Sequence, residues 1–132
     1  MQRRRLSMMA FSGVGLCFPG CSLFVPKDQP LPVVFFAGDD ATLDVVGQTV
    51  VANAAQLAKR YPLQPVRVVG FTSPAGVPAA NRALAEARAR AVADALIMAG
   101  VSSDRVRFES GGTAPYADTP TQSRRVEIRI GI

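Results

Sequence analysis

The chain has 132 residues, of which 48% are hydrophobic and 19% charged, a composition that suits one modest core and excludes a disordered chain. It contains no histidine, and its two cysteines, Cys17 and Cys21, lie near the start. These facts exclude Ser-His and Cys-His catalytic sets, histidine-ligated zinc and a paired-cysteine metal site in the body of the chain, so we predict no enzyme, no metal and no cofactor.

The formal net charge of +5 overstates how basic the mature chain is. Arg3, Arg4 and Arg5 supply three of the 15 basic residues, so a chain that began at Cys21 would have twelve basic residues against ten acidic ones, or 12 − 10 = +2. Non-specific nucleic-acid binding draws its affinity from many phosphate contacts. We therefore predict no nucleic-acid partner.

The first 20 residues are typical of an export signal. Leu6–Phe18 is an apolar segment of 13 residues after the basic MQRRR, which is shorter than the roughly 20 residues that span a bilayer. Gly20 before Cys21 resembles the end of a bacterial lipoprotein box, and Ser22 after it is compatible with sorting to the outer membrane. We predict a lipoprotein signal peptide over residues 1–20 and acylation of Cys21, for example by palmitate; an ordinary secretory signal with an incidental cysteine is the alternative.

Residues 21–31 are predicted to join this anchor to the domain. Pro26 and Pro30 favour an extended, semi-rigid spacer. The body, residues 32–132, should then sit close to its membrane.

The body opens with a strand and a helix. Pro32–Ala37 is short, β-branched and aromatic, as a buried strand should be. We predict a helix that Asp39 or Asp40 caps and that runs to about Arg60. Its inward face should hold the apolar residues at helical spacing, which are Leu43, Val46, Val50, Ala54 and Leu57.

A second strand, Val66–Phe71, is followed by the loop GFTSPAG and by a helix that begins at Pro78 or Asn81 and ends at Ala99, with Gly100 in the C′ position. Its buried stripe should be Leu84, Ala91, Val92, Ala95 and Leu96.

Two further strands are predicted at Val106–Glu109 and Arg125–Ile130, the latter with strict alternation of apolar and charged residues. The order β-α-β-α-β-β indicates an α/β fold in which two helices pack on one face of a small mixed sheet.

Three blocks of this sequence together resemble the OmpA-like peptidoglycan-binding domain family. The first is Phe36–Leu43, FAGDDATL; the last is Ser123–Ile130, SRRVEIRI. Between them, the family's Gly-x-Thr, Gly and Asn-x-x-Leu-x-x-x-Arg-Ala-x-x-Val positions are held by Gly70, Thr72, Gly76, Asn81, Leu84, Arg88, Ala89 and Val92. The resemblance covers Pro32 to Ile132 and implies the family's fold.

The resemblance also implies a ligand, the diaminopimelate-containing stem peptide of peptidoglycan. Arg88 matches the arginine that holds the ligand carboxylate in a planar fork. Ser73 stands where the family has the aspartate that pairs with the ligand ammonium, and Asp39 is the candidate to replace that carboxylate. Thr72 and Asn81 complete the implied peptidoglycan site. Capping is the alternative role of Asp39.

For Arg88 the alternatives are a solvated helix arginine or an ion pair with Glu86 or Asp94. Because Arg124 and Arg125 alternate across the last strand, at most one of them should face the pocket.

Two functions follow from the resemblance. The first is an outer-membrane lipoprotein on the periplasmic face that binds peptidoglycan non-covalently and links the envelope to the wall. The alternative is a degenerate domain without wall affinity, which serves as a structural or protein-interaction module of a periplasmic envelope or secretion complex.

Overall fold

The computed structural model describes residues 24–74, 76–114 and 120–131. The predicted signal peptide and the Cys21 acylation site lie outside this range. Within it, no helix is long and apolar enough to cross a membrane.

The elements follow in the predicted order, with one short helix added before the last strand. Their bounds are β1 Val33–Phe35, α1 Val45–Arg60, β2 Val66–Thr72, α2 Pro78–Met98, β3 Val106–Thr113, α3 Pro120–Ser123 and β4 Arg125–Ile130. A single 3-10 turn, Ser103–Arg105, precedes β3.

The four strands form one mixed sheet in the order β1-β4-β2-β3. In it, β2 pairs with β3 in parallel and with β4 antiparallel, and Val68 lies opposite both Phe108 and Ile128. Val68 and Ile128 point into a core that buried side chains of both long helices complete. The predicted fold class is confirmed.

The last strand alternates as predicted. Val126, Ile128 and Ile130 are buried in the core. On the other face of the sheet, the Glu127 carboxylate accepts hydrogen bonds from the guanidinium groups of Arg125 and Arg129 at 3.0 and 2.8 Å.

The predicted start of the first helix is wrong. Asp44 caps it, because its Oδ1 accepts a hydrogen bond from the Gly47 amide at 2.7 Å. The Asp40 carboxylate instead accepts from the Thr42 amide, which closes a local turn. Val46, in the first turn of the helix, is 71% exposed.

Small residues line the inward face of α1. It is formed by Gly47, Val51, Ala54, Ala55 and Ala58, with Leu43, Val50 and Leu57 partly buried beside it. Of the predicted inward residues, therefore, only Val46 points away from the core.

Close backbone packing positions α2. A Cβ built on Gly70 would lie 2.1 Å from the carbonyl oxygen of Ala85, so only glycine fits where β2 passes the helix. Val92 and Leu96 are buried as predicted, but Leu84 is only half-buried. The helix ends at Met98, and Gly100, with a φ of +103°, follows as the predicted C′ residue.

Strand β3 runs four residues beyond the predicted end at Glu109 because β2 continues to pair with it. Gly70 lies opposite Ser110 and Thr72 opposite Thr113, with a register shift between them. Glycine also relieves crowding in this part of the strand, since a Cβ on Gly111 would lie 2.7 Å from the Phe71 ring.

The Pro-rich stretch is not fully extended. The amide of Gln29 donates to the Pro26 carbonyl at 3.2 Å, which makes a turn, and Val25 packs against the core.

Candidate functional site

A pocket of about 280 Å³ opens where β2 ends, between the following loop, the first half of α2 and the turn after β1. All five predicted site residues line it in the structure: Asp39, Thr72, Ser73, Asn81 and Arg88. Residues far apart in the chain meet here because the central strand and the close Gly70–Ala85 packing bring the loop and the helix together.

Arg88 is the buried cation of this pocket. Its side chain is 1% exposed, its Nε donates to the carbonyl of Asp40 at 2.8 Å, and its Nη2 donates to the carbonyl of Gly38 at 2.5 Å. The guanidinium carbon also lies 5.4 Å from the centre of the Phe36 ring. The alternatives of a solvated arginine or of an ion pair with a neighbouring helix acid are wrong, because main-chain carbonyls orient this buried group.

Two guanidinium groups, those of Arg88 and Arg124, meet at the pocket. Burial lowers the pKa of Arg88, the nearby Arg124 guanidinium lowers it further, and the Asp39 and Asp40 carboxylates oppose both effects. An arginine stays protonated at neutral pH in spite of such a shift. Two guanidinium groups that face one cavity therefore favour a bound carboxylate.

Asp39 faces the pocket, while Asp40 is engaged in its own turn. Asp39 lines the cavity, and capping of α1 belongs to Asp44, so the capping alternative for Asp39 is wrong. The pKa of Asp40 lies below its ordinary value because the Thr42 side chain and amide hydrogen-bond its carboxylate. Its carbonyl, and not its carboxylate, contacts Arg88.

Polar side chains hold the loop in place. The Thr72 hydroxyl donates to the carbonyl of Gly112 at 3.2 Å and ties β2 to β3. The Asn81 side-chain amide donates to the carbonyl of Ser73 at 3.2 Å and ties α2 to the loop. Gly76, with a φ of +91°, lets the chain turn beside Asn81. Thr72 and Asn81 thus shape the rim of the pocket.

The comparisons with known proteins decide the family. Residues 35–129 match the sequence profile described as the OmpA family. The chain belongs to the OmpA family.

Two relatives of this OmpA-family chain have names that describe a lipoprotein and an outer membrane protein. It is 38% identical over 103 residues to the Escherichia coli (strain K12) protein named "Probable lipoprotein YiaD", a match that covers 74% of this chain and 47% of that protein. It is 32% identical over 131 residues to outer membrane protein A of Bordetella avium, covering 85% of this chain and 68% of that one. The chain thus spans about half the length of the Escherichia coli relative.

The crystal structure of the peptidoglycan-associated lipoprotein from Burkholderia pseudomallei superposes on this OmpA-family domain with a TM-score of 0.69 at 28% identity. The superposition covers 75% of this chain and 89% of that one. The fold and the expected resemblance to the family are therefore confirmed.

The pocket of this OmpA-family chain also contains Arg124. The sequence had left open whether Arg124 or Arg125 would face it. Arg124 lines the cavity, whereas Arg125 lies on the other face of the sheet, where its guanidinium carbon is 4.6 Å from the centre of the Phe71 ring. The expectation that at most one of the two faces the pocket is confirmed. The signal was the alternation along the strand, which gives Arg124 the parity of the buried Val126. The sequence did not show whether the Arg124 side chain would reach the pocket.

Proposed function

We propose that this OmpA-family chain is a lipoprotein of the outer membrane that binds the peptidoglycan stem peptide non-covalently and links the envelope to the wall. The observation that carries the proposal is the burial of Arg88 in a cavity, held by two main-chain carbonyls beside a second guanidinium. A buried, oriented guanidinium costs solvation free energy, and a bound carboxylate offsets that cost.

In this proposal Arg88 and Arg124 hold the carboxylate of a diaminopimelate residue, and Asp39 with the Thr72–Ser73 rim contacts its nitrogen. The similarity to a protein named peptidoglycan-associated lipoprotein supports the ligand class. The relative named a probable lipoprotein supports a lipid anchor, for which Cys21 is the candidate. Such an anchor would keep the pocket within reach of the wall.

Retention on purified peptidoglycan sacculi tests the wall-binding role. The full chain in detergent should co-sediment with sacculi, and Arg88→Ala should weaken retention by about 10- to 150-fold, because a charge-assisted hydrogen bond is worth roughly 1.5–3 kcal/mol. Arg90→Ala is the matched control, since Arg90 is an exposed arginine on the same helix.

Arg88→Lys separates binding from folding. A lysine keeps the positive charge but cannot reproduce the two-pronged geometry, so retention should still fall while the melting temperature changes less than in Arg88→Ala. Retention that Arg88→Lys and Arg88→Ala leave unchanged would rule out this site.

Mass spectrometry of the N-terminal peptide tests acylation. We expect a Cys21-containing peptide that carries acyl groups, and Cys21→Ala should release the chain from the membrane fraction.

A second function has one observation in its favour. Asp39 is the only acid among the described residues that line the pocket, and Ser73 offers a neutral hydroxyl where the family resemblance implies an aspartate. A domain that had lost wall affinity would serve as an interaction module. Undetectable binding by the native chain, with binding gained in Ser73→Asp, would establish that reading.

A further inference from the structure

We propose that this pocket prefers a carboxylate whose neighbouring amine is acylated over one beside a free ammonium, and that a second cavity next to it holds the acyl group. The inference rests on the proposed function and specifies its ligand as a branched, cross-linked peptide. Cross-linking of stem peptides converts the side-chain amine of one peptide into an amide.

The charge balance of the pocket carries the first step. Two guanidinium groups, Arg88 and Arg124, face a single carboxylate, Asp39, among the described lining residues. The Asp40 carboxylate also acts on Arg88, but it is exposed and bonded to the Thr42 amide, so solvent screens its charge. A ligand that brings one carboxylate and a neutral amide makes this set electrically neutral. A ligand that also brings an ammonium leaves one positive charge uncompensated in a partly dehydrated space, which disfavours its binding.

Asp39 cannot neutralise an added ammonium without weakening its interaction with Arg88. Its carboxylate already stabilises the protonated form of Arg88. Within the described ranges, ion pairs join Arg67 to Glu109 and join Glu127 to two arginines of β4, and Arg124 is in none of them. The single acid that lines the pocket therefore already interacts with Arg88 before any ligand arrives.

The hydroxyl of Ser73 suits an amide better than an ammonium. Ser73 lies at the rim that the pocket shares with the neighbouring cavity. A hydroxyl oxygen accepts a hydrogen bond from an amide N–H without any requirement for a counter-charge, whereas it cannot neutralise an ammonium.

The neighbouring cavity carries the second step. It measures about 150 Å³ and shares Thr72, Ser73 and Asn81 with the pocket, so the two spaces meet at these residues. One ordered water needs only roughly 10–15 Å³, so the cavity has room for a small acyl group. Arg82, which is exposed, lines it and would attract a carboxylate farther along the acyl branch.

Calorimetric titration of the full chain in detergent with two synthetic probes tests the inference. One probe is the tripeptide L-Ala-γ-D-Glu-meso-diaminopimelate. The other is the same tripeptide with an N-succinyl-D-alanyl group on its side-chain amine, so that this branch carries no ammonium and ends in a carboxylate. We expect the acylated probe to bind the native chain at least threefold more tightly. Equal affinity, or tighter binding of the free-amine probe, overturns the inference.

Two variants locate the preference. Ser73→Asp should reverse it, because the restored charge-assisted bond favours the free amine by about 10- to 150-fold. Arg82→Ala should weaken only the acylated probe, by about two- to fivefold as expected for an exposed charge, and Arg90→Ala should change neither. An Arg82→Ala effect on both probes, or on neither, rules out the second cavity as the acyl site.

The inference and the proposed function fail in different ways. If sacculi retain the chain through Arg88 but neither probe shows the expected preference, the function stands and the inference falls. If neither sacculi nor probes bind, both fall.

Discussion

Gly70→Ala should destabilise the domain more than any ordinary surface substitution, because the added methyl group meets backbone. The new Cβ would lie 2.1 Å from the carbonyl oxygen of Ala85 and 2.9 Å from its carbonyl carbon. No side-chain rotation relieves contacts with a helix backbone. The helix and β2 must therefore separate by about 1 Å to restore van der Waals distances, and overpacking of this kind costs typically 1–3 kcal/mol.

We expect a loss near the upper end, about 3 kcal/mol, and a melting temperature more than about 10 °C lower, since 1 kcal/mol shifts a domain of this size by roughly 4–8 °C. Urea denaturation followed by far-UV circular dichroism measures the loss. The shift of α2 also carries Arg88 away from Gly38 and Asp40, so retention on sacculi should fall with it.

Gly111→Ala is the matched control. Its Cβ would meet the Phe71 ring and the Val69 side chain at 2.7 Å, and these are side chains that can move. Its cost should be clearly smaller. A Gly70→Ala loss below about 0.5 kcal/mol, or one no larger than that of Gly111→Ala, would refute the close backbone packing on which the pocket depends.

Three further predictions concern the supports of the fold and the turn beside the pocket. Asp44→Ala should cost about 1 kcal/mol in urea denaturation because the cap of α1 is lost, while Asp44→Asn should cost little since its oxygen still accepts from the Gly47 amide. Arg105→Ala should lower the free energy of unfolding by about 2 kcal/mol or more, because three carbonyls at the end of α1 and in the following turn lose the charged donor they share. The control, Arg107→Ala at an exposed position, should change it very little. Thr42→Val should raise the pKa of Asp40 in an NMR titration, because the variant loses the Thr42 hydroxyl that lowers it. The depressed native pKa stabilises the fold above the unfolded value of about 3.9, and this stabilisation is lost as pH falls through the native pKa, so the variant should lose less stability on acidification. An unchanged titration would show that Thr42 is not the cause.

The local sequence pattern was sufficient to predict those elements whose structure depends on neighbouring residues. The strict alternation of Arg125–Ile130 predicted a strand and its buried face, and Gly100 ended the second helix where a positive φ is needed. The resemblance to the family motif implied that Asn81 and Arg88 share one site. Both line the same pocket, in keeping with their separation of seven residues, or about two turns of a helix.

The sequence pattern gave the wrong cap for α1 and the wrong end for β3. Three aspartates precede the first helix, and each can cap it; Asp44 does so because the Asp40 carboxylate bonds to Thr42. The end of β3 was missed because its Ser-Gly-Gly run is typical of a loop, and only pairing with β2 keeps it extended.

The sequence by itself determined the element order, the sheet-facing alternation and the identity of the five candidate site residues, since these follow from local periodicity, turn chemistry and the family motif. Only the tertiary structure decided that Arg88 is buried against main-chain carbonyls and not paired with an acid, that Arg124 joins it and not Arg125, and that Asp39 faces the pocket. These properties depend on distances between segments about 50 residues apart, as in the bonds from Arg88 to Gly38 and Asp40, and no local pattern encodes which carbonyl a long side chain will reach.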